Sequence, residues 1–209
     1  MRRRVSAFLV LLILFAITPF VNASITDWNC APDGDGAILM NYTTLAPDLV
    51  NGGYILDMDG VQSGFPAHLF GDFITDSELD PTVRITQDIE NDTDFAWSDY
   101  HIAIGMTKTF SILTTGLTAP TGWTWSITDP LAGQPLPGDI SPGTGWVGYV
   151  NYYQTAGSPV AIGDEGTFGF KVSFLGSVEF YTSQVPTPEP TTIALLGFGA
   201  VAAIRRKRA

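Results

Sequence analysis

The sequence predicts an all-β fold: a single antiparallel β-sandwich, immunoglobulin-like or jelly-roll-like, with an apolar helix at each end of the chain. Three observations lead there. Between the two ends no ten-residue stretch carries the 3.6-residue periodicity of an amphipathic helix. Short runs that alternate apolar with polar residues, or are rich in β-branched ones, recur throughout and are broken by Gly, Pro, Asn and Asp. These runs number about nine and follow one another at the spacing of a sandwich, with a closed barrel as the other way to use them.

Along the chain, residues 37–44 and 54–58 are the first two strands. In 83–89, Val83, Ile85 and Ile89 share one face while Arg84, Thr86 and Asp88 share the other. In 100–106, Tyr100, Ile102, Ile104 and Met106 alternate in the same way with His101, Ala103 and Gly105. Residues 108–114, 123–127 and 146–152 continue the series. The clearest strand is 167–175, where Phe168, Phe170, Val172 and Phe174 face one way and Gly169, Lys171 and Ser173 the other, so it is half-buried. Residues 178–183 close the set. Residues 129–145 hold too much Pro and Gly for a central strand and are expected to form a long surface loop. Thr-Gly-Trp occurs at both 121–123 and 144–146, but the flanks diverge and no repeat is implied.

Both ends look like address labels. Arg2, Arg3 and Arg4 precede an uncharged apolar run over 5–20, and Val21-Asn22-Ala23 supplies small residues for a signal peptidase, which gives cleavage after Ala23. At the other end an apolar run over 192–204 stops at Arg205, Arg206, Lys207 and Arg208. Thirteen residues at ~1.5 Å rise span about 20 Å, short of a ~30 Å hydrocarbon core, so this helix makes a transient rather than a permanent anchor. Basic clusters stay on the cytoplasmic side, which sends everything between them across the membrane. The expected organisation is a signal peptide at 1–23, a β-sandwich ectodomain at 24–184 and a C-terminal signal at 185–209.

Seven of the ten Lys and Arg residues lie in these end segments, leaving Arg84, Lys108 and Lys171 where nearly all of the 21 acidic residues lie. Such a surface excludes nucleic acid and anionic lipid as partners, and favours cations, neutral glycans and basic proteins. Cys30 is the only cysteine, so no intramolecular disulfide can staple the fold, and a buried or capped thiol is its simplest reading.

Residues 185–192 read Val-Pro-Thr-Pro-Glu-Pro-Thr-Thr, and a small-residue apolar helix and the basic stop follow them. This segment resembles the PEP-CTERM sorting signal, with Pro188, Glu189 and Pro190 as the signature tripeptide. The resemblance covers about 25 residues. It implies recognition by an exosortase, a membrane transpeptidase or protease of bacteria that secrete exopolysaccharide. Three prolines within five residues are expected to hold the segment extended and unable to join a sheet. Residues 91–102 also resemble a segment of some PEP-CTERM proteins with sandwich-like ectodomains, which leaves Trp97 and His101 as structural residues.

No catalytic residue is indicated. His68 and His101 lack metal-ligand spacing, the single cysteine cannot build a thiolate zinc site, and neither a Gly-x-Ser-x-Gly elbow nor a phosphate-cradling loop occurs. Asp88, Glu90, Asp92 and Asp94 recur at every second position with Asp99 beyond, roughly the rhythm of calcium ligands, but Thr93 stands where an EF-hand needs Gly. They are candidates for an irregular calcium site. Asp33-Gly34-Asp35-Gly36 and Asp57-Met58-Asp59-Gly60 each place two carboxylates within reach of one cation, yet read first as turns. Trp123, Trp125 and Trp146 are candidate sugar platforms, with core packing as the plainer use. The expected function is therefore non-catalytic: an exported cell-surface or matrix protein associated with exopolysaccharide or biofilm. A carbohydrate-binding module, calcium-assisted or not, is the alternative, and an extracellular hydrolase a distant third.

Overall fold

A computed structural model describes residues 23–137, 140 and 143–188. The expected helices over 1–22 and beyond 188, with the basic cluster Arg205 to Arg208, lie outside the described residues. Among the described residues the chain forms eleven strands and no helix. They make two sheets, one of six strands in the order β1-β4-β11-β6-β9-β8 and one of five in the order β2-β3-β5-β10-β7.

The six-stranded sheet contains β1 (Ile25–Pro32), β4 (Ala67–Thr75), β6 (Trp97–Met106), β8 (Trp123–Pro135), β9 (Thr144–Gln154) and β11 (Val178–Pro188). All its neighbours are antiparallel. The five-stranded sheet contains β2 (Ile38–Pro47), β3 (Tyr54–Gln62), β5 (Thr82–Asn91), β7 (Phe110–Thr118) and β10 (Glu165–Phe174). Its β3–β5 pair is parallel, so the expectation of a purely antiparallel fold is corrected. The cause is topological. After β3 the chain crosses to the other sheet as β4 and returns as β5, which therefore runs beside β3 in the same direction.

The two sheets close over one core. Phe168 of β10 stacks on Tyr100 of β6 with ring centroids 4.1 Å apart, and Phe73 of β4 stacks on Phe174 of β10 at 5.3 Å. The alternation read in the sequence is what builds this interior, since Phe168, Phe170, Val172, Phe174, Tyr100, Ile102, Ile104, Val83 and Ile89 are all buried. Buried polar groups interrupt it. The Tyr100 hydroxyl lies 2.8 Å from Gln62 Oε1 and 2.6 Å from Gln184 Oε1. A hydroxyl carries one proton, so Tyr100 donates to one glutamine and the amide of the other must turn to donate to it.

All nine expected strands are present, and β1 and β4 are additional. Residues 129–145 correct the expectation of a long loop, because Asp129 to Pro135 continue β8 and Thr144 and Gly145 begin β9. The prolines are tolerated because β8 is an edge strand whose pairing slips twice, between Thr128 and Leu131 and between Ala132 and Gln134. Between β8 and β9, Leu136 and Ile140 pack with Val147 and Tyr181 on the outer face of the sheet. Gly105 makes room beneath, since a Cβ there would collide with the edge of the Tyr181 ring.

Candidate functional site

Along the outer face of the six-stranded sheet, register places aromatic and polar side chains in rows. Tyr149 stands opposite Ala103 and Thr128, and Ser183 opposite Ala103 and His68. One row further, Tyr181 stands opposite Gly105 and Phe70, and Phe70 opposite Ala31. Phe70 and Tyr181 stack at 6.3 Å. Tyr149 is 43% exposed, which matters because an aromatic ring left on a sheet face is free to stack on a ligand.

At the β1–β4–β11 end of this face lies a cleft of about 940 Å³. Ala31, Phe70 and Gly71 contribute apolar surface, Asn29, His68 and Asp72 contribute polar groups, and Pro137 and Ile140 come from the connection between β8 and β9. Asn29 Nδ2 donates to Asp72 Oδ1 at 3.0 Å, so an amide and a carboxylate are already oriented. Asp72 and Glu179 are direct cross-strand partners and stand side by side on one surface. Apolar area with a few convergent polar groups is the make-up of a ligand site.

Asp33 and His68 meet at the rim of this cleft. The pairing of β1 with β4 brings them together, because the Asp33 N–H donates to the His68 carbonyl at 3.3 Å. His68 Nδ1 lies 3.1 Å from Asp33 Oδ2. Asp33 Oδ1 accepts the Asp35 N–H at 3.0 Å, and Asp35 Oδ1 accepts the Ala37 N–H at 2.7 Å. These bonds, the one from the Asp35 backbone foremost and His68 after it, hold the Asp33 carboxyl below the ordinary carboxylate range.

The residues singled out in the sequence fare unevenly. Trp123 is corrected from platform to core residue: it is buried, its ring meets Phe168 edge-on at 5.9 Å, and its Nε1 donates to the Ser158 carbonyl. Trp125 is exposed, but it pairs with the buried Tyr152 and so belongs to the inward side at the sheet edge. Trp146 packs against the core. The calcium candidates are divided between the two sheets. Asp88 and Glu90 lie on β5, Asp92 and Asp94 in the turn after it, and Asp99 on β6, where Oδ2 accepts from Thr187. Among the described residues the one cluster of three His, Cys, Asp or Glu side chains with ligand atoms within 4.8 Å of one another is Asp33, Asp35 and His68, which contains none of them. Instead Asp88 and Glu90 join Asp59 to crowd Glu165, whose carboxyl is held above its ordinary range first by burial and then by these neighbours.

Trp97 is buried and its Nε1 donates to Thr93 Oγ1, and His101 Nδ1 pairs with Asn151 Oδ1 at 2.9 Å. Burial pushes the Cys30 thiol up to about 12, so it stays protonated against Met58 and unreactive. Ala23 is buried, with Ser24 hydrogen-bonded to Asp76.

The end of β11 corrects one more expectation. Val185, Pro186, Thr187 and Pro188 are not strand-incompetent; they pair with β6 from His101 to Trp97. Pairing with β4 stops at Gln184, so beyond it β11 has one open side, where a proline without an N–H does no harm. Residues 186–208 match the family model of the PEP-CTERM protein-sorting motif. The chain carries a PEP-CTERM sorting signal. Its match begins inside the last strand of the sandwich, so Pro188, the first residue of the signature tripeptide, is also the last residue of β11, and Glu189 and Pro190 lie beyond the described residues. A PEP-CTERM signal marks an exported protein of the cell envelope or surface that an exosortase processes. Neither the curated proteins nor the solved structures gave a match to the chain.

Proposed function

We propose that this PEP-CTERM protein is a non-catalytic component of the cell surface and its exopolysaccharide, and that it holds glycan on the outer face of its six-stranded sheet. The observation that carries the reading is the cleft of about 940 Å³ between β1, β4, β11 and the connection between β8 and β9, with the exposed Tyr149 on the same face in the cross-strand row of His68. Sugars offer apolar ring faces and a rim of hydroxyls, which suits aromatic rings set among amide, imidazole and carboxylate groups. Asp72 and Glu179 stand beside each other rather than flanking a shared target, an arrangement suited to accepting hydroxyl hydrogen bonds more than to the two-sided attack of a glycosidase. The acidity of the chain favours a neutral glycan, or an acidic one bridged by cations.

Calorimetry of the purified full chain against the producing organism's own exopolysaccharide tests this. Saturable heat is expected, and Tyr149→Ala, which removes an exposed ring, should weaken binding by about ten-fold, the worth of one aromatic contact. Trp125→Ala should leave binding unchanged. Absence of heat, or a loss that follows Trp125 instead of Tyr149, would contradict the proposal.

A further inference from the structure

The structure assigns Asp33, Asp35 and His68 as the protein ligands of a first-row divalent cation, of the Zn²⁺ or Mn²⁺ type, at the rim of the outer-face cleft. Each of the three offers a ligand atom, and these atoms lie within 4.8 Å of one another. Asp33 Oδ2 and His68 Nδ1 are 3.1 Å apart, about the spacing of neighbouring ligands around an ion with bonds of about 2.1 Å. The set is mixed, two carboxylates with one imidazole, which selects a transition ion over calcium. It is also assembled from separate parts of the chain: a turn after β1 supplies the carboxylates, and β4 supplies the imidazole.

Two further features favour a cation. Backbone N–H groups of Asp35 and Ala37 each take one oxygen of Asp33 and Asp35, fixing both carboxylates and leaving one oxygen of each for a metal. Among the described residues neither carboxylate has a Lys or Arg partner. Asp33 and His68 both line the cleft, so an ion held between them would stand beside it. A bound ion there could take a water or a hydroxyl or carboxylate oxygen of a ligand. The assignment does not depend on the glycan reading, and metal alone tests it.

The experiment is calorimetry on the full chain after stripping with EDTA, with Zn²⁺, Mn²⁺ and Ca²⁺ in turn. One equivalent of Zn²⁺ or Mn²⁺ is expected to bind. Asp35→Asn and His68→Ala should each weaken binding about ten-fold or more, the usual effect of disturbing a metal site. Asp35→Asn keeps the acceptor for the Ala37 N–H, and equal unfolding midpoints in EDTA would show that both variants fold. The assignment is overturned if neither metal gives heat, if both variants bind as the parent does, or if Ca²⁺ alone binds and His68→Ala leaves it untouched.

Discussion

Replacing Phe168 by alanine is expected to destabilise the sandwich by about 3–5 kcal/mol. Phe168 is fully buried on β10, and its ring touches three aromatic rings of the opposite sheet. It stacks on Tyr100 at 4.1 Å and meets Tyr152 and Trp123 edge-on at 5.2 and 5.9 Å. Removing it costs the transfer of the ring and leaves a cavity where the sheets meet, and the stacked neighbours can close only part of it. A domain of this size has about 5–15 kcal/mol in total, so the variant should sit near the edge of folding. Urea unfolding of the purified full chain, followed by tryptophan fluorescence, measures the loss, and Phe168→Leu should recover much of it. A loss below about 1 kcal/mol would mean that Phe168 does not hold the sheets together.

Asn91→Ala should cost about 2–4 kcal/mol, through orphaned polar groups rather than a cavity. Asn91 is fully buried at the end of β5. Its Nδ2 donates to the carbonyls of Phe95 and Val160 at 2.9 and 3.0 Å. Its Oδ1 accepts the Thr93 N–H at 3.0 Å and lies 2.6 Å from Thr93 Oγ1, which in turn accepts from Trp97 Nε1. One side chain thus fastens the turn before β6 to the segment that bridges to Trp97. Alanine leaves the Thr93 N–H without its partner and strips one of the two bonds that the Phe95 and Val160 carbonyls each accept, the remaining ones coming from Thr93 Oγ1 and the Trp97 N–H. Asn91→Asp keeps the acceptor but loses both donated bonds and buries a charge, so it should be at least as harmful. The same urea series reads both variants, and values within about 1 kcal/mol of the parent for both would remove Asn91 from this role.

The interiors of the strands were legible because burial on one face forces a period of two, which Val83 to Ile89 and Phe168 to Phe174 display plainly. β4 was not, because its outward positions include Phe70 and its inward ones Gly71, which blurs the alternation. The prolines misled at both sites where they were read as breakers. Pro130 and Pro135 lie on an edge strand, and Pro186 and Pro188 lie where β11 has lost its β4 neighbour, and an edge position cannot be seen before the strand order is known.

The same limit explains the site. Tryptophans draw attention by type, yet Trp123 shares its face with the core, while Tyr149 and Phe70 reach the outer face through register alone. Asp33 and His68 are 35 residues apart and become neighbours only through β1–β4 pairing. The one local signal was Asp33-Gly34-Asp35-Gly36, which presents two carboxylates from a turn and gives no hint of the imidazole. The C-terminal signal was fully legible because its order of tripeptide, apolar run and basic stop is contiguous in sequence.

The central claim is that this is an exported surface protein whose C-terminal signal is processed by an exosortase at the very end of the folded sandwich. Intact mass spectrometry of the protein recovered from an exosortase-positive host tests it most directly. The expected mass corresponds to a chain that has lost the apolar and basic segment after Pro190 and retains all of β11 through Pro188. A mass that runs unprocessed through Ala209 would contradict the claim.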